Sequence, residues 1–172
     1  MSGFGVGEPE IGGAAGKSEV DGPVARGVAV AGSEVGGIAV GGCAVGTELP
    51  PMVVEATPTF VISTALATRD FQDVHHDRDA AVARGSKDIF LNILTDTGLV
   101  QRFVSRWAGP EALVRSIRIR LGVPCYAYDT LTFTGRVTAR DGAGVELEVS
   151  AVDSLGAHVT GTVSLILPEE AA

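Results

Sequence analysis

The chain divides into two parts that differ in their pattern of apolar and polar positions. Residues 1–44 repeat glycine-separated Ala and Val pieces, as in GVAVAG and GGIAVGG, without helical or strand periodicity. Glycine raises the entropy cost of ordering a chain, and small side chains bury little area. We therefore expect residues 1–44 to form a low-complexity, mostly disordered extension and residues 45–172 to form one folded domain.

Helical and strand signals alternate at the start of this domain. Residues 58–69, PTFVISTALATR, are rich in β-branched and aromatic side chains, which favours a strand. Asp77 is a suitable N-cap for a short helix that Gly85 would end. Ser86 is then expected to cap a longer helix that ends near Ala108. Its apolar residues recur at helical spacing: Ile89, Phe90, Ile93, Leu94, Val100 and Val104.

The rest of the chain alternates as strands do. In SIRIRLG, residues 116–122, the isoleucines and the leucine fall on one face and two arginines fall on the other. Three further strand-like runs follow, two of them joined by a turn at residues 141–144. A sheet packed on one long apolar helix satisfies this order, because that helix must bury its apolar face. The predicted fold class is α+β.

Composition and charge exclude several classes of partner. The net charge is −8, and half of it comes from residues 1–50, with two basic against six acidic residues. An acidic protein of this kind is a poor ligand for nucleic acid or for an anionic membrane surface. Two cysteines, Cys43 and Cys125, cannot form a disulfide framework. Neither a transmembrane run nor a signal-peptide pattern is recognisable, so we expect a cytoplasmic protein.

The polar stretch RDFQDVHHD, residues 69–77, carries the most informative chemistry. Asp70 and His75 lie five residues apart, so a turn can bring both side chains to one water molecule. Adding water across an activated double bond needs groups of this kind, because one proton leaves water and one reaches carbon. Two other interpretations stay open from residue types alone: solvated caps and turns, or a metal site at His75, His76 and Asp77.

The stretch 70–75, DFQDVH, resembles the Asp-x-Asn-Pro-x-His motif of the MaoC-like, (R)-specific enoyl-CoA hydratases. AVARGSKDIF resembles that family's Ala-His-Gly stretch, whose glycine opens the central helix, and VPCYAYDTLTFTGRVT resembles its Pro-x-x-Pro-Gly-Asp-Thr-Leu strand pair. The resemblance covers about residues 45–168. It implies the hot-dog fold, in which an antiparallel sheet wraps around one central helix, and it implies an enzyme that hydrates 2-enoyl-CoA thioesters.

The resemblance also implies roles for individual residues. Asp70 and His75 match the catalytic pair, while Gly85 matches the glycine whose backbone N–H binds the thioester carbonyl, with Ser86 beside it as a second substrate-binding residue. No metal and no separate cofactor are expected, since coenzyme A belongs to the substrate. The family's Asn, Pro and His are replaced here by Gln72, Asp73 and Arg84, and its Pro-Gly by residues 127–128.

Within the family, residues 59–110 look most like the small MaoC-like subunits of bacterial steroid side-chain hydratases. That likeness implies hydration of a steroid enoyl-CoA in cholesterol side-chain degradation. It also implies a partner, a larger MaoC-like subunit with a degenerate hot-dog domain, in a heterodimer doubled to a heterotetramer. The alternatives are a homodimeric (R)-specific hydratase of fatty enoyl-CoA and a non-catalytic acyl-CoA-binding subunit.

The sequence allows more than one role for several polar residues outside the motif. Arg118 and Arg120 either contact CoA phosphates or form the solvent face of a strand. Asn92 and Asp96 interrupt the apolar stripe of the central helix, and Asp96 is the one candidate there for a hot-dog thioesterase. His158 is predicted to lie on the surface.

Overall fold

The computed structural model describes residues 43–168. The predicted disordered extension, residues 1–44, lies outside this range except for its last two positions. Cys43 is buried, and its carbonyl accepts a hydrogen bond from Arg140. The folded part of the chain therefore includes Cys43, just before the predicted boundary at residue 45.

Five strands, three α-helices and one 3₁₀ turn make up the described chain. In order they are β1 (Glu48–Ala56), α1 (Pro58–Ala67), the 3₁₀ turn (Asp73–His75), α2 (Arg78–Ala83), α3 (Ile93–Ala108), β2 (Leu113–Leu121), β3 (Asp129–Asp141), β4 (Gly144–Asp153) and β5 (Gly156–Ile166). The strands form one sheet in the order β1-β3-β4-β5-β2. All four strand pairs are antiparallel, so the predicted α+β class is confirmed.

The long helix α3 supplies the core that the sheet covers. Its Phe103 ring lies 5.9 Å from the Phe133 ring of β3, and both side chains are almost fully buried. Alternate residues of β3, β4 and β5 are buried and the residues between them are more exposed, as expected for a sheet with one covered face. Burial of the apolar face of this helix against the sheet stabilises the domain.

The strand predicted at residues 58–69 is wrong, because this stretch forms α1. The Thr57 side chain accepts a hydrogen bond from the Phe60 N–H at 3.1 Å, and Pro58 occupies the first turn. An N-cap threonine followed by proline is a strong helix start and here outweighs the β-branched composition. The first strand lies earlier instead, over Glu48–Ala56.

Thr57→Ala is expected to lower the free energy of unfolding by about 1 kcal/mol, because it removes this cap. Thr59 lies exposed in the same turn and makes a matched control. Thr59→Ala should change stability by less than about 0.5 kcal/mol. Chemical denaturation of both variants checks the pair, and equal effects would contradict the capping role.

The predicted start of the central helix is also wrong. Ser86 caps nothing: its hydroxyl donates to the Asp88 carbonyl at 2.7 Å. The true N-cap is Asn92, whose side-chain oxygen accepts the Thr95 N–H at 2.8 Å. The predicted C-terminal end is correct, because α3 ends at Ala108 and Gly109 follows with a φ of 88°. The predicted short helix is correct as well, with Asp77 as its N-cap.

Candidate active site

The end of α1 positions Asp70. The Arg69 N–H bonds to the Leu66 carbonyl and the Asp70 N–H bonds to the Ala65 carbonyl, each at 3.0 Å, which closes the helix in a Schellman arrangement. Arg69 takes the left-handed conformation, with φ 58°, a place that usually holds glycine. This reversal of the chain places the Asp70 side chain next to His75.

The 3₁₀ turn positions His75. Its Nδ1 lies 2.8 Å from the Phe90 carbonyl, and its ring packs edge-on against the Phe90 ring at 4.9 Å. A carbonyl can only accept, so Nδ1 carries a proton. In the neutral ring Nε2 is then the free acceptor, and this atom faces Asp70.

Asp70 and His75 form the predicted pair. The His75 Nε2 atom lies 3.5 Å from Asp70 Oδ2, and the two side chains are 8% and 17% exposed. This separation is too long for a strong direct hydrogen bond, yet both atoms can reach a single water oxygen. The pair is therefore arranged to hold one water molecule and to exchange protons with it.

The central helix contributes a third polar side chain, Asn92. Its Nδ2 donates to Asp70 Oδ2 at 3.1 Å and to Thr68 Oγ1 at 2.8 Å. The N–H groups of Asn92, Ile93 and Leu94 meet no acceptor among residues 43–168. The positive end of the helix dipole and N–H groups without a partner among the described residues thus lie near the Asp70–His75 pair.

Comparison with known proteins agrees with this geometry. The sequence matches no family model. The 3-oxo-4,17-pregnadiene-20-carboxyl-CoA hydratase beta subunit of Mycobacterium tuberculosis is 64% identical over 120 residues, 70% of this chain and 93% of the relative. The chain belongs to this family of hydratase beta subunits. The family predicted from sequence is thereby confirmed.

Solved structures support the same assignment. The ChsH1-ChsH2 complex from Mycobacterium tuberculosis matches 73% of this chain and 98% of the solved chain, with 62% identity and a TM-score of 0.72. The (R)-hydratase of A. caviae involved in PHA biosynthesis matches 73% of this chain and 97% of its own, with 19% identity and a TM-score of 0.68. At that identity the second likeness shows the fold alone, which is the predicted hot-dog fold.

The position of Gly85 differs from the prediction made for it. Gly85 ends α2 with a φ of 87°, and its N–H donates to the Val82 carbonyl at 2.9 Å. The central helix begins only at Ile93, so the expectation that Gly85 opens it is wrong. The predicted contact of Gly85 with the thioester carbonyl stays a prediction, and so does the substrate-binding role of Ser86.

Two departures from the hydratase motif compensate each other. Asp73 stands where the motif has proline and Arg84 where it has histidine, and the structure pairs Arg84 Nη2 with Asp73 Oδ2 at 2.7 Å. The contact ties the 3₁₀ turn that carries His75 to the end of α2. Both side chains are substantially exposed, so we expect a stabilisation of less than about 1 kcal/mol.

The metal interpretation of the His-His-Asp run finds no support in the described residues. His75 bonds to Phe90, His76 Nε2 lies 3.1 Å from the Phe71 carbonyl, and Asp77 caps α2. The three side chains have separate partners. In the part of the chain from 43 to 168, no cluster of three His, Cys, Asp or Glu side chains is arranged to hold a metal ion.

His158 is not on the surface, contrary to the prediction. Its Nε2 lies 3.0 Å from Asp96 Oδ1, its Nδ1 lies 2.6 Å from the Val123 carbonyl, and both side chains are at most 2% exposed. Burial favours the neutral ring, but the Asp96 carboxylate outweighs it and raises the pKa of His158. This burial also leaves Asp96 poorly placed for thioesterase chemistry. The sequence marked Asp96 as a polar residue within the apolar stripe of the central helix, but it did not reveal His158 as the partner of Asp96.

The two arginines considered for CoA phosphates lie on β2. Arg118 pairs in register with Thr162 and Arg120 with Thr160, and both arginine side chains are exposed. They line a shallow groove on the sheet, together with Thr138 and others.

Among residues 43–168, no helix has the length and apolar character needed to cross a membrane.

Proposed function

We propose that this chain is the catalytic subunit of an enoyl-CoA hydratase that adds water to the 2-enoyl-CoA side chain of a steroid during cholesterol side-chain degradation. The observation that carries the chemistry is the Asp70–His75 pair, with Nε2 and Oδ2 3.5 Å apart and Nδ1 held by the Phe90 carbonyl. The steroid assignment is supported by the 64% identity to the pregnadiene-carboxyl-CoA hydratase beta subunit.

The reaction follows from these groups. One member of the pair takes a proton from the bound water while the water oxygen attacks the β-carbon, and the pair then passes this proton to the α-carbon. Negative charge moves into the thioester oxygen as the C–O bond forms. Unpaired N–H groups close to that oxygen stabilise this charge, and the N-terminus of α3 offers three of them beside Asp70.

The chemistry needs neither a metal nor a redox cofactor under this proposal. The thioester itself withdraws electrons from the double bond, and the proton that leaves water is balanced by the one that reaches carbon. Coenzyme A enters as part of the substrate. We also propose a cytoplasmic location, which agrees with the two cysteines of the chain, Cys43 and Cys125, being free.

We propose further that the chain functions with a larger MaoC-like subunit, as a heterodimer doubled to a heterotetramer. The similar chain of the solved Mycobacterium tuberculosis complex pairs with a second protein. Large apolar side chains on the elements that carry the site support a partner surface or an acyl pocket, since each is at least half exposed: Leu66, Phe71, Ile93 and Leu94.

The assembly can be tested by size-exclusion chromatography of the two co-expressed chains. We expect them to elute together at the mass of a heterotetramer, with equal amounts of each chain. Independent elution of the two chains would contradict the proposed partnership.

Activity is tested with 3-oxo-4,17-pregnadiene-20-carboxyl-CoA, with and without the larger subunit, and with crotonyl-CoA as a short fatty substrate. We expect the complex to hydrate the steroid thioester at least about 100-fold more efficiently than crotonyl-CoA, because remote binding energy is used in the transition state. Efficient hydration of crotonyl-CoA by the chain alone would favour the homodimeric fatty hydratase. Binding of both thioesters by the complex without turnover would favour the non-catalytic acyl-CoA-binding subunit.

A further inference from the structure

We propose that Asn92 is a positioning residue that fixes the catalytic carboxylate of Asp70, in addition to capping α3. The proposal rests on the proposed hydratase function. Asn92 is 3% exposed and makes three hydrogen bonds in two directions. The side-chain oxygen bonds to the first turn of α3, and the side-chain nitrogen bonds to Thr68 and Asp70.

The capping role uses only the side-chain oxygen. Asn92 Oδ1 accepts the Thr95 N–H at 2.8 Å, and this contact also defines which end of the amide is oxygen. Aspartate or serine would cap equally well, because each supplies an oxygen at this position. The helix alone therefore does not require an amide here.

The amide nitrogen points to the catalytic side. Its two hydrogens are taken by Thr68 Oγ1 at 2.8 Å and by Asp70 Oδ2 at 3.1 Å. Thr68 is itself fixed, since its hydroxyl donates to the Thr64 carbonyl at 2.8 Å. Asn92 thus connects the end of α1, the catalytic carboxylate and the start of α3.

The oxygen that Asn92 holds is the same one that faces His75. Asp70 Oδ2 lies 3.5 Å from His75 Nε2, while the one hydrogen bond of Asp70 Oδ1 within residues 43–168 is a long contact of 3.4 Å with the Gln72 N–H. Without Asn92, the carboxylate loses its shortest contact and can rotate about its side-chain bonds. An error of about 1 Å in the position of a reacting group can lower the rate about 100-fold.

Two variants separate positioning from capping in the complex with the larger subunit. Asn92→Ser and Asn92→Asp both keep a capping oxygen, but serine is too short to reach Asp70 and aspartate places a like charge beside it. With 3-oxo-4,17-pregnadiene-20-carboxyl-CoA as the probe, we expect kcat to fall about 10- to 100-fold in both variants. KM should change less than about threefold, because the acyl contacts remain.

Thr95→Val is the matched control. The Thr95 hydroxyl is buried without a hydrogen-bond partner among the described residues, so its loss should leave kcat within about twofold of wild type. Wild-type kcat in both folded Asn92 variants would show that Asn92 is a cap alone and would overturn the proposal.

A crystal structure of Asn92→Ser gives a readout that does not depend on activity. We expect the Asp70 carboxylate to turn away from His75, so that the Oδ2–Nε2 contact of 3.5 Å is lost. An unmoved carboxylate would overturn the positioning role even if the hydratase function holds. If the carboxylate is displaced in Asn92→Ser but the wild-type complex hydrates neither thioester, the positioning role is supported and the proposed function is contradicted.

Discussion

Asp70→Asn and His75→Ala are each expected to lower kcat of the purified complex at least about 100-fold, to background in a standard hydration assay. Asp70→Asn keeps the shape of the side chain but removes its ability to take or deliver a proton. His75→Ala removes Nε2, which the Phe90 carbonyl holds toward Asp70. The measurement is turnover of 3-oxo-4,17-pregnadiene-20-carboxyl-CoA at saturating concentration.

The same loop offers matched controls for both substitutions. His76→Ala removes an imidazole that lies at hydrogen-bond distance from the Phe71 carbonyl, and Asp73→Asn removes a carboxylate that is paired with Arg84. Among the described residues neither side chain makes a hydrogen bond or ion pair with Asp70 or His75, so both controls should keep kcat within about fivefold of wild type. Co-elution of every variant with the larger subunit establishes that assembly is intact.

A hydration rate near wild type in either Asp70→Asn or His75→Ala would contradict the catalytic assignment. Loss of activity in Asp73→Asn alone would point instead to the contact between Asp73 and Arg84 at the end of α2. The two outcomes can be told apart because the Asp70–His75 and Asp73–Arg84 contacts have no side chain in common.

The meeting of Asp70 and His75 could be predicted from the sequence because both residues lie in one short local motif. Asp70 and His75 are five residues apart, and one turn brings them together. Strands β2 to β5 and the end of α3 were likewise predictable from local signals, namely the alternation of apolar residues and Gly109. Where one segment decided the outcome by itself, the sequence was sufficient.

The errors arose where a local signal was weighed wrongly. Residues 58–69 have strand-like composition, but Thr57 and Pro58 start a helix that packs against the sheet. Ser86 and Asn92 are both acceptable N-caps, and the choice between them depends on the bridge that Phe90 makes with Tyr126. That bridge keeps residues 89–91 extended and delays the helix until Ile93.

The contacts of Asn92 and His158 needed the tertiary structure. Asn92 meets Asp70 across 22 residues and His158 meets Asp96 across 62 residues. Nothing near His158 in the sequence marks it as buried, since it follows a polar turn. Long-range polar pairs of this kind have no local pattern from which a single sequence can reveal them.

His158→Leu is expected to lower the free energy of unfolding by about 3–5 kcal/mol, because it leaves the Asp96 carboxylate buried without its partner. Asp96 Oδ2 already lacks a donor among the described residues, so the remaining charge has little compensation. In thermal unfolding of the complex, the midpoint should fall on the order of 10 °C or more. Disruption of the exposed Arg136–Glu148 pair by Arg136→Leu is the control and should cost less than about 1 kcal/mol.

The double variant Asp96→Leu/His158→Leu separates loss of the ion pair from loss of packing. Because it removes the buried charge together with its partner, we expect it to be more stable than His158→Leu alone. An additive double variant, or a His158→Leu protein as stable as wild type, would contradict a structural role for the pair. The double variant also keeps the test informative if His158→Leu does not fold.

The pair should also make stability depend on pH in a defined direction. The Asp96 carboxylate raises the pKa of His158 in the folded protein above its ordinary value, despite the opposing effect of burial. The contribution of the pair is then fully present below the unfolded pKa of about 6.5 and is lost as the pH rises through the folded pKa. The stability difference between wild type and His158→Leu should therefore shrink as the pH of the unfolding measurement is raised through the elevated pKa of His158.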